Sequence, residues 1–417
     1  MASRRDFLRG VTAAASLPAS WHAFRSALQA APAKGSEPFW DMVKAQFPLE
    51  PGLIYLNAAN VCPASRPVMD RHLQYLRDFH ANPSFQNRAK YDGMRETVRN
   101  KAAALLRVSA DEIALTRNTS EGTNIVVQGL ELKAGDEVII TDHNHPSNND
   151  SWKVRAKREG FRVVSLPVPA PAPGADQLLG GFEKAITPRT KVIAVTHLTN
   201  TTGLLYPAKA ITEMAHRRGI HVHLDGAQSF GLLDVDLRAI GCDSYTASAH
   251  KWPMGPLEAG ILYVKQERIA AVWPSVVTAG WSDTLKGARK FEVLGQRDDP
   301  RVIALEPCLD FLAMIGLKEV EARARALAQR AMRGLKEIPG VTLRTNLEPE
   351  LSGAVIKFHV ASVPTRQAYD TLYAKNRLGI AATNAGPTEG LRFSPHIYNS
   401  MDEIDQAVAA VRALVRG

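Results

Sequence analysis

Cysteine is scarce. The 417 residues contain three, Cys62, Cys242 and Cys308, and none stands in a CxxC pair or at a metal-ligand spacing. An odd, scattered set gives no disulfide framework and reads as buried thiols. Long apolar runs are absent as well: none reaches the roughly 18 residues that a transmembrane helix needs. No internal repeat and no low-complexity segment appears. The chain is basic, with 51 Lys and Arg against 42 Asp and Glu and a formal net charge of +9. Nucleic-acid binding calls for those charges to cluster on one face, and no such block or motif is present. What remains is ordinary globular composition, 45% apolar and 22% charged. A chain this long suits a large domain joined to a smaller one.

Part of the positive excess lies at the start, where Arg4, Arg5, Arg9, Arg25 and Lys34 face a single Asp6. Ser3-Arg4-Arg5-Asp6-Phe7-Leu8-Arg9 resembles a twin-arginine export signal. A modest apolar stretch follows from Val11 to Leu17, and small residues gather at Ala30-Ala31-Pro32-Ala33. That order fits a signal peptide over residues 1–34 and implies export to the periplasm. Trp21, His22 and Arg25 interrupt the later part, so a basic amphipathic arm that stays in the cytoplasm is the alternative. Twin-arginine export carries folded proteins, which would let a cofactor be loaded before delivery.

From about Asp111 the chain alternates β-branched runs with helical stretches. The runs are Glu112–Thr116, Val138–Ile140, Val192–Val195, His221–Leu224 and Gly260–Val264. Apolar strands separated by helices predict an α/β domain with a mostly parallel sheet covered on both faces. Such sheets bind ligands beyond the carboxyl ends of their strands. After Pro300 the pattern changes to a long helical region up to Gly340, a strand candidate at Ala354–Phe358 and a last helix with Ser400 and Glu403 as a capping box. This reads as a smaller α+β unit, with the segment from about Phe39 to Pro63 packed beside it.

Polar residues gather where the strands should end. Ser248-Ala249-His250-Lys251-Trp252 precedes a Gly-containing turn, and a lysine there is by default a solvated surface residue. Asp225 changes that reading, because it ends a strand 26 positions earlier. An aspartate can pair with a protonated pyridine nitrogen and make the ring an electron sink. A lysine forms a Schiff base once its amine is deprotonated. Thr119-Ser120-Glu121-Gly122-Thr123-Asn124 should open a helix whose amides and hydroxyls bind phosphate. Alone it is an N-cap signature; with Asp225 and Lys251 it forms one leg of a phosphate, pyridine and lysine arrangement.

These three strings, in this order, resemble the class V aminotransferase-like enzymes of fold type I, the group with cysteine desulfurases, kynureninases and isopenicillin N epimerases. The likeness runs over roughly residues 50–415. It implies a pyridoxal 5'-phosphate cofactor, an amino-acid substrate and a homodimer with its active site at the subunit interface. The implied architecture is a seven-stranded sheet in a large domain at residues 66–299. A small domain follows at residues 300–417, with residues 35–65 packed on it. By the same resemblance Lys251 holds the cofactor and shuttles the α-proton, Asp225 partners the pyridine nitrogen, and Gln228 and Asn200 lie near the phenolic oxygen. Thr119, Ser120, Ser248 and His250 would bind the phosphate. His145 would stack on the ring, with His143 the alternative. Arg392, in Leu391-Arg392-Phe393-Ser394-Pro395-His396, would fork onto the substrate α-carboxylate, with Asn57 beside it.

Two departures matter. Cysteine desulfurases carry a catalytic cysteine on a loop before that arginine, and residues 371–390 contain none; Cys62 lies in a distant segment. The family often has Gly-Thr where this chain has Gly295-Gln296, so Gln296 takes the position that reaches the neighbouring subunit's phosphate. The expected function is therefore an aminotransferase- or epimerase-like enzyme. The Asp142-His143 segment and Gly295–Asp298 lean toward the epimerase branch. A desulfurase-like β-lyase and a catalytically silent binding protein are the alternatives.

Overall fold

A computed structural model describes residues 17–384 and 386–417; the twin-arginine motif at Ser3–Arg9 lies outside them. In chain order the strands are β1 (Ile54–Tyr55), β2 (Ile113–Thr116), β3 (Glu137–Thr141), β4 (Arg162–Leu166), β5 (Thr190–Thr196), β6 (His221–Asp225), β7 (Ser244–Ser248), β8 (Gly260–Val264), β9 (Val341–Leu343), β10 (Ile356–Val360), β11 (Leu378–Gly379), β12 (Ala381–Thr383) and β13 (Gly390–Phe393). Seven of them form one sheet in the order β2-β8-β7-β6-β5-β3-β4. β8 runs antiparallel to β2 and β7, and the other pairings are parallel. This is the fold type I α/β architecture, as expected.

The central strands are apolar runs because helices cover both faces. β3, β6, β7 and β8 are buried along their whole lengths, whereas edge strand β4 has no buried residue, only exposed and half-buried ones. Two strands escape the hydrophobicity pattern. β7 reads Ser-Tyr-Thr-Ala-Ser, polar yet wholly buried, and β4 begins with an exposed arginine. The connections between parallel strands carry the helices Pro146–Glu159, Ala175–Ala185 and Ala208–His216. Such crossovers are what parallel pairing requires.

A second, antiparallel sheet in the order β12-β13-β10-β9 belongs to the C-terminal part. The closing helix Met401–Arg416 has the expected capping box of Ser400 and Glu403. Residues near the start of the chain join this part: β1 pairs in parallel with β11, and Asn57 bridges to Ser394. The helix Leu305–Ile315 packs instead on the helices Arg66–Ala81 and Lys90–Leu106. There the Lys101 ammonium contacts Glu306 and Asp310 at 2.8 and 2.7 Å.

The helix Ala19–Gln29 also packs on Arg66–Ala81. Its Trp21 and Phe24 are core residues, and the Phe24 ring stacks on Phe311 at 4.5 Å. Lys34 donates to the Ile315 carbonyl at 2.9 Å. The small-residue stretch Ala30–Ala33 thus follows a helix that is built into the body of the protein. Among the described residues no helix is long and apolar enough to cross a membrane.

Candidate active site

Carboxyl-terminal strand ends converge on one cleft. Asp225 closes β6, is 3% exposed and accepts a hydrogen bond from the Ala227 amide at 3.0 Å. Thr196 of β5 and Thr246 of β7 flank it in register. The chain turns sharply past it because Gly226 has no side chain; a Cβ there would stand 1.9 Å from the Tyr245 ring. Lys251 follows β7 by three residues. Among the described residues its amine has neither a hydrogen-bond nor an ion-pair partner. Burial lowers its pKa; the Asp225 carboxylate opposes this and the Arg392 guanidinium adds to it. A lysine held this way is readily neutral and nucleophilic.

The helix Thr119–Gly129 starts at this edge of the sheet. Asn118 is its N-cap and accepts from the Glu121 amide at 2.9 Å. The Thr119 amide and hydroxyl both meet the Ser248 hydroxyl, at 2.8 and 2.7 Å. The Ser120 amide is left as one of the orphan donors of a first helical turn, which is where anions bind. Gly122 lets this turn sit directly on β7, since a Cβ would come within 2.8 Å of Thr246. His250 donates from Nδ1 to the Leu257 carbonyl at 3.0 Å, and its protonation is disfavoured by burial and then by Lys251.

Beyond β3, His145 is the N-cap of the helix Pro146–Glu159, and its Nδ1 accepts from the Ser147 amide at 3.2 Å. That leaves the hydrogen of the neutral ring on Nε2. Burial lowers its pKa first, and nearby Lys251 adds to the effect while Asp225 opposes it. His143 turns away and meets the Thr202 hydroxyl at 3.1 Å. The structure therefore brings His145, rather than His143, to Lys251.

Arg392, on β13, donates from NH1 to the Asn200 carbonyl at 2.9 Å and from NH2 to Asn57 Oδ1 at 2.8 Å. Its Nε is buried without a partner, and no carboxylate of the described residues pairs with it. Burial pulls its pKa down to about 10. Asn200 Oδ1 is likewise buried and unpartnered. The Gln228 amide is more fully engaged: Nε2 donates to the Ala59 carbonyl at 2.9 Å, and Oε1 accepts from Trp252 Nε1 at 2.8 Å. One Nε2 hydrogen is left over. Gln296 stands apart, exposed and bonded to Arg88 at 2.7 Å, in a separate cavity of about 790 Å³.

Cys62, set aside on sequence position, lies close to Lys251, because its amide donates to the His250 carbonyl at 2.8 Å. Burial pushes its thiol pKa well up, so it is a protonated thiol. Tyr55, whose hydroxyl donates to the Val61 carbonyl at 2.7 Å, neighbours both Cys62 and Arg392. His396 donates to the Trp252 carbonyl at 2.9 Å and so braces the residue after Lys251. No motif spacing marks Cys62 or Tyr55, since both come from a segment remote in sequence, whereas His396 ends the Leu391–His396 string around Arg392.

This cleft, on this sheet, defines a class of enzyme. The chain belongs to the class-V aminotransferase family, matched over residues 54–407. Its cofactor is pyridoxal 5'-phosphate. It is 28% identical over 390 residues to isopenicillin N epimerase of Streptomyces clavuligerus, covering 90% of this chain and 98% of that protein. It is 27% identical over 409 residues to a probable cysteine desulfurase of Pyrococcus abyssi, covering 90% and 97%. The solved structure of the cysteine desulfurase CsdA from Escherichia coli superposes with a TM-score of 0.80 at 27% identity, over 90% of this chain and 98% of that one.

The residues fit the cofactor. An amine without a partner among the described residues, a helical amide at a first turn flanked by hydroxyls and a buried carboxylate match its aldehyde, phosphate and ring nitrogen in chemical type. The unpaired Arg392 Nε and Asn200 Oδ1 are donor and acceptor that a ligand would complete.

Proposed function

We propose that the protein acts on the α-carbon of an amino acid, along an aminotransferase- or epimerase-like course. The unpaired guanidinium of Arg392 carries this reading. A buried arginine held open by two carbonyl-type oxygens, with Nε unsatisfied, suits a carboxylate bound through two parallel hydrogen bonds. When bound, the cofactor supplies the electron sink that lets a bond to the α-carbon break. Lys251 and Asp225 would hold its aldehyde carbon and its ring nitrogen, and Thr119, Ser120, Ser248 and His250 its phosphate. Lys251, poised by burial to lose a proton, would move the proton on and off the α-carbon. His145, fixed as the neutral Nε2–H tautomer by the helix N-terminus, would cover the ring. Asn57 and Asn200 aim the guanidinium.

Deuterium exchange tests this. Incubation of the holoenzyme with amino acids in heavy water should give α-deuteration of a substrate, with inversion or keto-acid formation. Formation of alanine from cysteine with transfer of its sulfur as sulfane sulfur, read as sulfide after added dithiothreitol reduces it, without α-exchange of other amino acids, would overturn the reading. A β-lyase course is the second reading, favoured by the nearness of Cys62 to Lys251 and by the cysteine desulfurases among the relatives.

We also propose a homodimer, since the Ser120 turn opens onto a surface with Val276 and Leu294, and a second subunit would cover it. A monomeric mass for the active enzyme would refute this. Export through the Ser3–Arg9 motif completes the proposal. Replacing Arg4 and Arg5 together by Lys should leave the protein in the cytoplasm, and unchanged periplasmic recovery would refute that.

A further inference from the structure

Behind Arg392 stands a second buried cation. Lys357 on β10 is the direct antiparallel partner of Arg392 on β13, so both side chains leave the same face of the small sheet. It is 1% exposed, and its Nζ donates to the Gly390 carbonyl at 2.7 Å. Among the described residues no carboxylate lies at ion-pair distance from it. The charged groups around it are Arg392, Glu389 in the turn before β13 and Arg344 just beyond β9. The Glu389 carboxylate is taken by the Thr365 hydroxyl at 3.0 Å, and Arg344 Nε is itself buried and unpartnered.

Adjacent like charges are costly to keep ionised away from water. Arginine holds its proton under all ordinary conditions, so lysine is the member that yields. Burial, and then Arg392, pull the Lys357 pKa down to about 7, against the pull of Glu389. The amine donates to the Gly390 carbonyl in either state, so the contact that pins the start of β13 survives the loss of a proton.

We propose that Lys357 is a positioning residue that takes up a proton when a carboxylate docks on Arg392. This rests on the reading of Arg392 as the carboxylate anchor. An incoming carboxylate cancels the field that Arg392 exerts on Lys357, and the ammonium becomes favourable. Binding and protonation then favour one another by the same factor. Neutral Lys357 leaves Arg392 aimed at Asn57 and Asn200, and charged Lys357 adds to the hold on the bound anion. Capture of substrate therefore weakens as pH rises above neutrality.

The test uses the holoenzyme and propionate, a carboxylate with no amine of its own. Calorimetry in two buffers of different ionisation enthalpy, at about pH 8, reads the protons taken up per propionate bound. The comparison is with Lys357→Gln, which keeps a donor for the Gly390 carbonyl but cannot ionise; protons exchanged by the cofactor cancel in the difference. The expected result is extra uptake in the parent, absent in Lys357→Gln. The parent's Kd should also rise with pH above neutrality, by at most about tenfold per pH unit for one linked proton, and this slope should flatten in the variant. Equal uptake in both proteins overturns the inference alone. Propionate binding that is indifferent to Arg392→Ala overturns the anchor and the inference together. Should Lys357→Gln fail to fold, as judged by its circular dichroism, the parent's profile decides, and a Kd independent of pH between about 6 and 9 overturns the proposal.

Discussion

The two ends of the large sheet both gather buried polar groups, and the two sets behave in opposite ways. Facing the carboxyl end, Lys251, Asn200 Oδ1 and the Arg392 Nε that reaches in from β13 are buried or half-buried with no partner among the described residues. At the amino end, Asp243 is fully buried and fully engaged. It accepts from His216 Nε2 at 2.8 Å, the Val222 amide at 2.7 Å and Arg268 Nε at 2.7 Å. Burial alone would raise its pKa, but His221 and these donors hold it below the usual carboxylate value. His221 and His223 beside it both meet the Ser244 hydroxyl, at 3.0 and 2.9 Å, although Nε2 of His223 is unpartnered. Polar groups that satisfy one another are scaffold; polar groups left waiting mark where a ligand completes the structure.

The largest effect expected at the waiting end is loss of the lysine. Lys251→Ala should abolish the visible absorbance of covalently held cofactor and all turnover while leaving the circular dichroism spectrum unchanged. An unaltered yellow spectrum would reject the assignment. Asp225→Ala should retain cofactor but lower kcat by roughly a hundredfold or more, since a fixed charge opposite the ring nitrogen is gone. Near-normal turnover would remove that role.

The satisfied end should answer in stability. Asp243→Ala strands the Val222 amide, the His216 ring N–H and the Arg268 guanidinium, and should cost about 3 kcal/mol in urea unfolding with kcat unchanged. Arg392→Ala should do the reverse. Apparent affinity for a carboxylate substrate should fall at least about tenfold, with partial recovery in Arg392→Lys and cofactor content intact. Stability of the ligand-free protein should hold or rise, because an unpaired buried charge is removed. If both variants lose stability alike, the contrast between the two ends fails.

The smallest effect is in pH. Burial holds His221 at about 4 and His223 at about 3, against an ordinary 6.5 in the unfolded chain. Their pKa values are depressed on folding, so the unfolded state binds protons first. The stability they permit is whole above about pH 6.5 and is lost as pH falls toward 4. Urea midpoints should decline over that window, and His223→Gln should flatten the decline. An identical slope in the variant would place the acid sensitivity elsewhere.

Much of this was legible in the residue order. Five strands, the capped last helix and the strings around Lys251, Asp225, Thr119 and Arg392 each carry a local signal, either β-branched runs or turn chemistry at strand ends. Strand β7 carried none, because its serines and threonines are buried by position rather than by hydrophobicity. Cys62, Tyr55 and Lys357 could not be placed, since long-range pairing alone brings them to Lys251 and Arg392. Gln228 shows the limit from the other side: its motif position was clear, but its bonds to Ala59 and Trp252 depend on two segments that no spacing relates to it.

Phe24 meets Phe311 from nearly three hundred residues away, and β1 finds β11 only beyond it. The nascent polypeptide therefore emerges with its first aromatic residues bare and keeps them so until most of the chain has been made. The sheet between them can assemble while synthesis proceeds, but the outer clasp closes last. Premature termination near Pro300 would leave Phe24 without the Phe311 ring and Trp40 without the Arg323 guanidinium over it, an aggregation-prone product whose defect lies hundreds of residues from the break.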